Sequence, residues 1–190
     1  MSWSPEHKAQ TRSKILKSAS HLFTHHGFDK VSIDQVMQDA GMTRGAFYKH
    51  FSSKSELYSE AIIYGATQGA GRNLSTATDI AQVIERYLSL HHLQPEKDAC
   101  PLAFLVSDIT QREPLQQKTY AKVLQGFTRF LEQKSGKSRE QAVLATVLMI
   151  GGVALARAAG DETLAGEIIQ TARVEAQQQL GCMAENKAGS

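Results

Sequence analysis

The stretch Ser32-Ile-Asp-Gln-Val-Met-Gln-Asp-Ala-Gly-Met-Thr-Arg-Gly-Ala-Phe-Tyr-Lys-His-Phe51 decides how this chain is read. Ser32 and Gln35 have the spacing of a capping box, in which the serine oxygen accepts the amide of the third helical residue and the glutamine reaches back. The box opens a short helix with Ile33, Val36, Met37 and Ala40 on one face. Gly41 closes it, and Thr43 can cap a second short helix in which Phe47 and Phe51, four apart, face inward. Two short helices joined by a tight glycine turn, apolar on a common side, read as a helix-turn-helix. In that motif the N-terminal residues of the second helix enter the DNA major groove.

The residue types suit that task. With Phe47 and Phe51 buried, Thr43, Arg44, Gly45, Ala46 and Tyr48 fall on the free face. An arginine there can give two parallel hydrogen bonds to guanine O6 and N7. Gly45 and Ala46 are small enough to let the backbone approach base edges and a thymine methyl. Tyr48, His50 and Lys54 are placed to bond phosphates, Lys54 at a helix N-terminus that itself favours anions. Ser32 and Lys49 complete the expected DNA-binding set. Lys8, Arg12 and Lys14, at the start of the first helix, are further phosphate candidates.

Outward from this segment, helical spacing recurs and no alternating strand stands out. Upstream, Ile15, Leu16, Ala19, Leu22 and Phe23 form one face, and the pattern stops at Gly27 after His25-His26, glycine being a favoured helix terminator. Downstream, Ser53-Lys-Ser-Glu56 has capping-box spacing and opens a helix through Leu57, Ala61 and Ile62. The Gly/Ser/Thr-rich run 69–78 reads as a loop or frayed end. Ile80 to His91 gives an amphipathic stripe, and Asp98 can cap a helix carrying Leu102, Leu105, Val106 and Ile109. Pro114 suits the first turn of a helix through Leu131. Ser138 to Gln141 is a third capping box, before an apolar helix ending near Gly160, and Asp161 starts the last one. The tail after Gly181 is expected to be disordered. The spacing thus predicts an all-α fold of about nine helices. A three-helix DNA-binding domain is expected over 1–55, and an effector-binding and dimerisation domain over 56–190.

Composition excludes several classes. The 190 residues are 42% hydrophobic and 21% charged, enough for a packed core. Two cysteines cannot build a disulfide framework or a four-cysteine zinc site. There is no uninterrupted apolar run of about 18 residues and no secretory leader pattern, so a cytoplasmic protein is expected. The net charge of +2 hides an asymmetry: residues 1–55 hold eight Lys/Arg against four acids, and the rest 13 against 15. A basic head on a slightly acidic body suits a polyanion-binding module.

From Arg12 to Ala61 the chain resembles the N-terminal domain of the TetR family of bacterial transcriptional regulators. The resemblance is carried by Ile15, Ala19, Phe23, Gly27-Phe28, Val31-Ser32-Ile33, Ala40-Gly41-Met42 and, above all, Gly45-Ala-Phe-Tyr-Lys-His-Phe-Ser-Ser-Lys-Ser-Glu-Leu57. It implies a homodimer, a pseudo-palindromic double-stranded operator, a small-molecule pocket in the C-terminal domain and, as the usual action, repression. The apolar helices over about 138–180, rich in glycine and alanine, are the expected dimer contact.

Aromatics between about 78 and 135 exceed what packing needs. Tyr87, His91, Cys100, Phe104, Tyr120 and Phe127 are the expected ligand-binding residues, with an apolar or aromatic effector. Cys100, at a helix start beside Lys97 and Asp98, raises an alternative: a redox or electrophile sensor, weighed against a small buried hydrophobe. A helical protein-binding adaptor is a second alternative. No phosphate loop, nucleophile elbow or zinc-protease motif occurs, so no enzyme and no cofactor is expected. His25-His26 and His91-His92 are adjacent on their helices, with rings about 100° apart, so no metal site is expected.

Overall fold

The computed structural model describes residues 5–93 and 99–182, all of them helical or in turns and loops. The elements are α1 (Pro5–Lys30), α2 (Ile33–Asp39), α3 (Arg44–Phe47), α4 (Lys54–Thr67), α5 (Ala70–Ser75), α6 (Ile80–Tyr87), α7 (Pro101–Phe104), α8 (Pro114–Ser135), α9 (Arg139–Ala158) and α10 (Glu162–Gln179). Short 3-10 turns occupy Leu90–Leu93 and Asp108–Gln111. Among the described residues ten α-helical segments thus stand where about nine were expected, two of them single turns.

The chain forms two compact units, and they do not follow the expected division at residue 55. The first joins Met1–Arg72 to Asp98–Val123, and the second joins Asn73–Lys97 to Leu124–Ser190. In the first unit α1 packs on α2, α4 and α7, α2 on α3, and α4 on α7. Its core is built from Ile15, Ala19, Phe23, Val36, Met37, Phe47, Leu57, Tyr58 and Ile62. In the second unit α9 and α10 pair along their length, α6 packs on α10, and the 90–93 turn packs on both. Ala142, Ala145, Met149 and Val153 of α9 and Ile169, Ala172 and Ala176 of α10 are buried there. Small side chains let the two helices approach closely.

The first helix, expected to stop at Gly27, instead runs on to Lys30 with a break in backbone conformation at that glycine. Gly27 has φ 78° and ψ 172° inside the helical span, a region only glycine occupies readily. Gly41 takes φ 69° at the turn between α2 and α3, again suiting a residue without a Cβ.

Elsewhere the segmentation departs from the sequence reading. The 69–78 run holds α5. The 80–91 stripe stops helically at Tyr87, because Leu88 leaves helical geometry with ψ 69°. Local polar bonds take over: Ser89 Oγ accepts the His92 N–H at 3.3 Å, and His92 Nδ1 donates to the Tyr87 carbonyl at 2.7 Å. The helix expected from 98 to 109 is one turn, α7, followed by the 108–111 turn. Val106 is exposed there, and Thr110 Oγ1 donates to the Ser107 carbonyl at 2.7 Å. The expected cap Asp98, its neighbour Lys97 and the tail from 183 lie outside the described residues. Ser53 caps α4 by accepting the Glu56 N–H at 3.1 Å. The Glu56 carboxylate, however, takes the N–H and hydroxyl of Ser52 at 2.7 and 2.5 Å, so the reciprocal half of the expected box lands one residue early.

Candidate nucleic-acid interface

The head is held rigidly where the motif needs it. Both bonds of the Ser32–Gln35 capping box form, Gln35 N to Ser32 Oγ at 3.1 Å and Ser32 N to Gln35 Oε1 at 2.7 Å. Ser18 Oγ donates to the Val36 carbonyl at 3.0 Å and ties α2 to α1. Past Gly41, the Met42 N–H returns to the Met37 carbonyl at 2.8 Å. Thr43 occupies the N-cap of α3 with extended backbone, but its side chain makes no cap hydrogen bond. Phe47 and Phe51, ring centroids 5.8 Å apart, are buried and pin α3 by one side. Thr43, Arg44, Gly45, Tyr48 and Lys49 are left exposed, and Ala46 and His50 half-buried. A one-turn helix gripped by two phenylalanines therefore offers its N-terminal residues outward.

Electrostatics differentiate these residues. Arg44 Nη1 bonds Asp34 Oδ2 at 2.7 Å. Hydrogen bonding with Tyr48 and the Asp34 charge hold its guanidinium above the ordinary arginine value. His50 is pushed below the ordinary histidine value by burial and by the charges of Lys8, Arg12 and Lys49. Its Nδ1 is buried without a hydrogen-bond partner. Lys8, Arg12, Lys49 and His50 thus concentrate positive charge on this side of the head, offset at Arg12 by its pairing with Glu60.

Two expected phosphate ligands are already engaged. Lys54 opens α4, but its Nζ lies 4.2 Å from the Phe28 ring centroid, and burial lowers its amine below the usual lysine range. Arg12 is paired with Glu60 and lies 4.7 Å over the Phe51 ring. Ser32 is exposed with its hydroxyl in the capping box. The sequence reading missed Asp34 and Glu60 as partners; the nearest signal was an acid on each of two helices packed beside basic ones.

The six expected ligand-binding residues divide between the two units. In the second, Tyr87 is fully buried, its ring 5.3 Å from Phe127 and 4.8 Å from His92. His91 points to solvent, and His92 is the buried member of the pair, because the helix that set the expected register ends four residues earlier. In the first, Cys100 is the N-cap of α7 at 5% exposure, and Phe104 sits 5.6 Å from the His25 ring. Tyr120 Oη donates to the Leu102 carbonyl at 2.5 Å, and burial, then Cys100, pushes the phenol up. Tyr87, Cys100, Phe104 and Tyr120 pack as core residues of their units, while Phe127 is half-buried and His91 exposed.

A family model described as "Bacterial regulatory proteins, tetR family" matches residues 15–61. The chain is 45% identical over 51 residues to the HTH-type transcriptional regulator AcrR of Shigella flexneri, covering 27% of this chain and 24% of that protein. It therefore spans about a quarter of AcrR. It is 27% identical over 154 residues to the uncharacterized HTH-type regulator YfiR of Bacillus subtilis, 75% of each chain. In fold, it superposes on a TetR transcriptional regulator from Chloroflexus aurantiacus with a TM-score of 0.71 at 19% identity, covering 92% of this chain and 98% of that one. Residues 15–61, which hold the helix-turn-helix, thus match the TetR-family model of bacterial regulatory proteins, and the chain as a whole shares the fold of solved TetR transcriptional regulators.

Proposed function

We propose that the protein is a cytoplasmic transcriptional repressor that binds a pseudo-palindromic DNA operator as a homodimer and leaves it when a small molecule binds. The observation that carries the reading is α3. Its inner side is fixed by Phe47 and Phe51 while Thr43, Arg44, Gly45 and Tyr48 remain open to solvent. In this reading Arg44 reads a guanine, Ala46 meets a thymine methyl, and Ser32, Tyr48, Lys49 and His50 hold phosphates. Lys54 joins them only by leaving the Phe28 ring.

The dimer reading is supported by α9 and α10. Val143, Leu144, Val147 and Leu155 of α9 and Leu164 and Val174 of α10 are large apolar side chains left exposed. By length and composition alone Arg139–Ala158 could cross a membrane, and a second copy of the pair is the cover that fits an isologous two-fold assembly. An apolar or aromatic effector is the class that suits the aromatic content of both units.

Selection from a pool of random duplexes tests the reading. The expected product is an inverted repeat with half-sites about one helical turn, roughly 34–36 Å, apart. Binding should weaken steeply as salt rises. A flat salt response would leave a protein-binding adaptor as the better account.

A further inference from the structure

The two helices of the head are joined by a charge pair, Arg44 Nη1 to Asp34 Oδ2 at 2.7 Å, with side chains 60% and 58% exposed. A pair this exposed contributes little to stability, so its meaning lies in placement. Asp34 stands in the first turn of α2 and Arg44 is the first residue of α3. The arginine is thus held from α2 before any DNA arrives.

This hold has two physical effects. A guanidinium carries five N–H donors in one plane, and guanine recognition needs two of them parallel toward O6 and N7. Asp34 takes a donor at Nη1 and fixes the plane, leaving Nη2 and Nε to meet a base. Without that hold, a long exposed arginine settles as readily on a phosphate, which carries no sequence information. The second effect is repulsive. Asp34 is a carboxylate beside a surface meant for a polyanion, and it is tolerated while Arg44 neutralises it. When Arg44 swings to a phosphate, Asp34 faces the DNA uncompensated, and like charges across an interface penalise that complex.

We propose that Asp34 is a positioning residue that sets base specificity. It orients Arg44 for a guanine and disfavours complexes in which Arg44 binds the backbone instead. The proposal rests on Arg44 being the base reader.

The test uses the full chain with D34N, D34E, R44A and the double variant D34N/R44A. Each is put through the random-duplex selection, titrated against one fixed duplex of arbitrary sequence, and melted thermally. Wild type is expected to enrich a guanine at one position of each half-site, and R44A to lose it. D34N should keep the flanking half-site but relax that position by roughly three- to tenfold. It should also bind the arbitrary duplex more tightly, by about twofold or more, with an unchanged melting temperature. D34E, which restores the charge, should recover the guanine preference. In the double variant the asparagine should have no further effect on base preference. If R44A shifts the selected sequence while D34N selects the same guanine as strongly as wild type, the Asp34 proposal is overturned and the Arg44 reading stands. If R44A selects the wild-type sequence, the base contact fails and Asp34's role fails with it.

Discussion

Tyr58 Oη donates a 2.5 Å hydrogen bond to Asp108 Oδ2, while the other oxygen of that carboxylate accepts the Phe28 N–H at 3.2 Å. One side chain thereby ties the 108–111 turn to α4 and to the break in α1, all within the first unit. Arg112 adds to the junction: its Nε donates to the Asp108 carbonyl at 3.1 Å, its guanidinium pairs with Asp29, and it lies 5.0 Å over the Phe28 ring. Burial and the bond to Asp108 drive the Tyr58 phenol well above its ordinary value, so it stays a donor. These contacts tie the segment over residues 99–123 to the helix-turn-helix within the first unit.

Gly27 is the tightest point of this junction. An added Cβ would stand 2.8 Å from Asp108 Oδ1 at a backbone φ of 78°. Gly27→Ala is therefore expected to cost about 1–3 kcal/mol from the backbone alone. Asp108→Ala removes the clash but also the Tyr58 and Phe28 bonds, so the steric part is the amount by which Gly27→Ala costs less in the Asp108→Ala background than in wild type. Urea midpoints of wild type, the two single variants and the double variant separate the contributions; an alanine as stable as glycine would show that the break in α1 relaxes elsewhere.

Tyr58→Phe and Asp108→Asn probe the same bond from its two ends. Each should lower stability by about 1–3 kcal/mol, the range for a hydrogen bond to a charged group. Because they remove one shared interaction, the double variant should lose clearly less than the sum. Additive losses in a double-mutant cycle would mean that the two residues act separately.

These junction residues also mark what could be read from the chain. The Ser32–Gln35 box, the Phe47–Phe51 pair and the Gly41 turn were legible because each is a local relation, three or four residues apart, that helix geometry repeats. Tyr58–Asp108 and Arg112–Asp29 span 50 and 83 residues, and no periodicity announces a pair at that distance. The placement of the expected effector residues was hidden for a different reason. An apolar stripe gives the face of a helix but not its last residue, and Ser89 and His92 ended α6 through side-chain bonds that a stripe does not record. His91 was thereby exchanged for His92.

DNA binding is expected to take up protons at His50. In the free head, burial and the charges of Lys8, Arg12 and Lys49 keep this imidazole below its ordinary value of 6.5. A phosphate beside it would favour the charged form and raise the bound-state value. The sign follows: affinity should strengthen as pH falls through the bound-state pKa and level off below the free-state one. His50→Gln should flatten that slope between about pH 5 and 7. Equal slopes for the two proteins would remove His50 from the phosphate set.

His92 supplies an acid limit in the second unit. It is buried, burial lowers its pKa below the ordinary 6.5, and the bond to the Tyr87 carbonyl opposes that shift only in part. The unfolded chain therefore binds the proton more readily, and stability present above about pH 6.5 should fall as pH drops through the folded-state value. Thermal melts of wild type and His92→Gln across this range should converge at low pH, because the glutamine has no proton to take up. A constant gap between them would place the acid sensitivity elsewhere.

The exposed apolar face of the second unit makes the most direct prediction about assembly. Val147 and Leu155 are 61% and 62% exposed on α9, eight residues apart and so on nearly the same face. Apolar residues grouped in this way mark a surface that another surface covers. If a second copy covers it, wild type should sediment as a dimer at micromolar concentration, with a melting temperature that rises with protein concentration. Val147→Glu should give a folded monomer whose melting temperature is concentration-independent. A charge placed on a face already open to water costs a monomer little, so loss of helical signal would itself argue that Val147 is packed. The rival cover is lipid, given the apolar length of Arg139–Ala158, and flotation with liposomes separates the two. A wild-type monomer that floats with vesicles would remove the dimer reading and with it the expectation of an inverted-repeat operator.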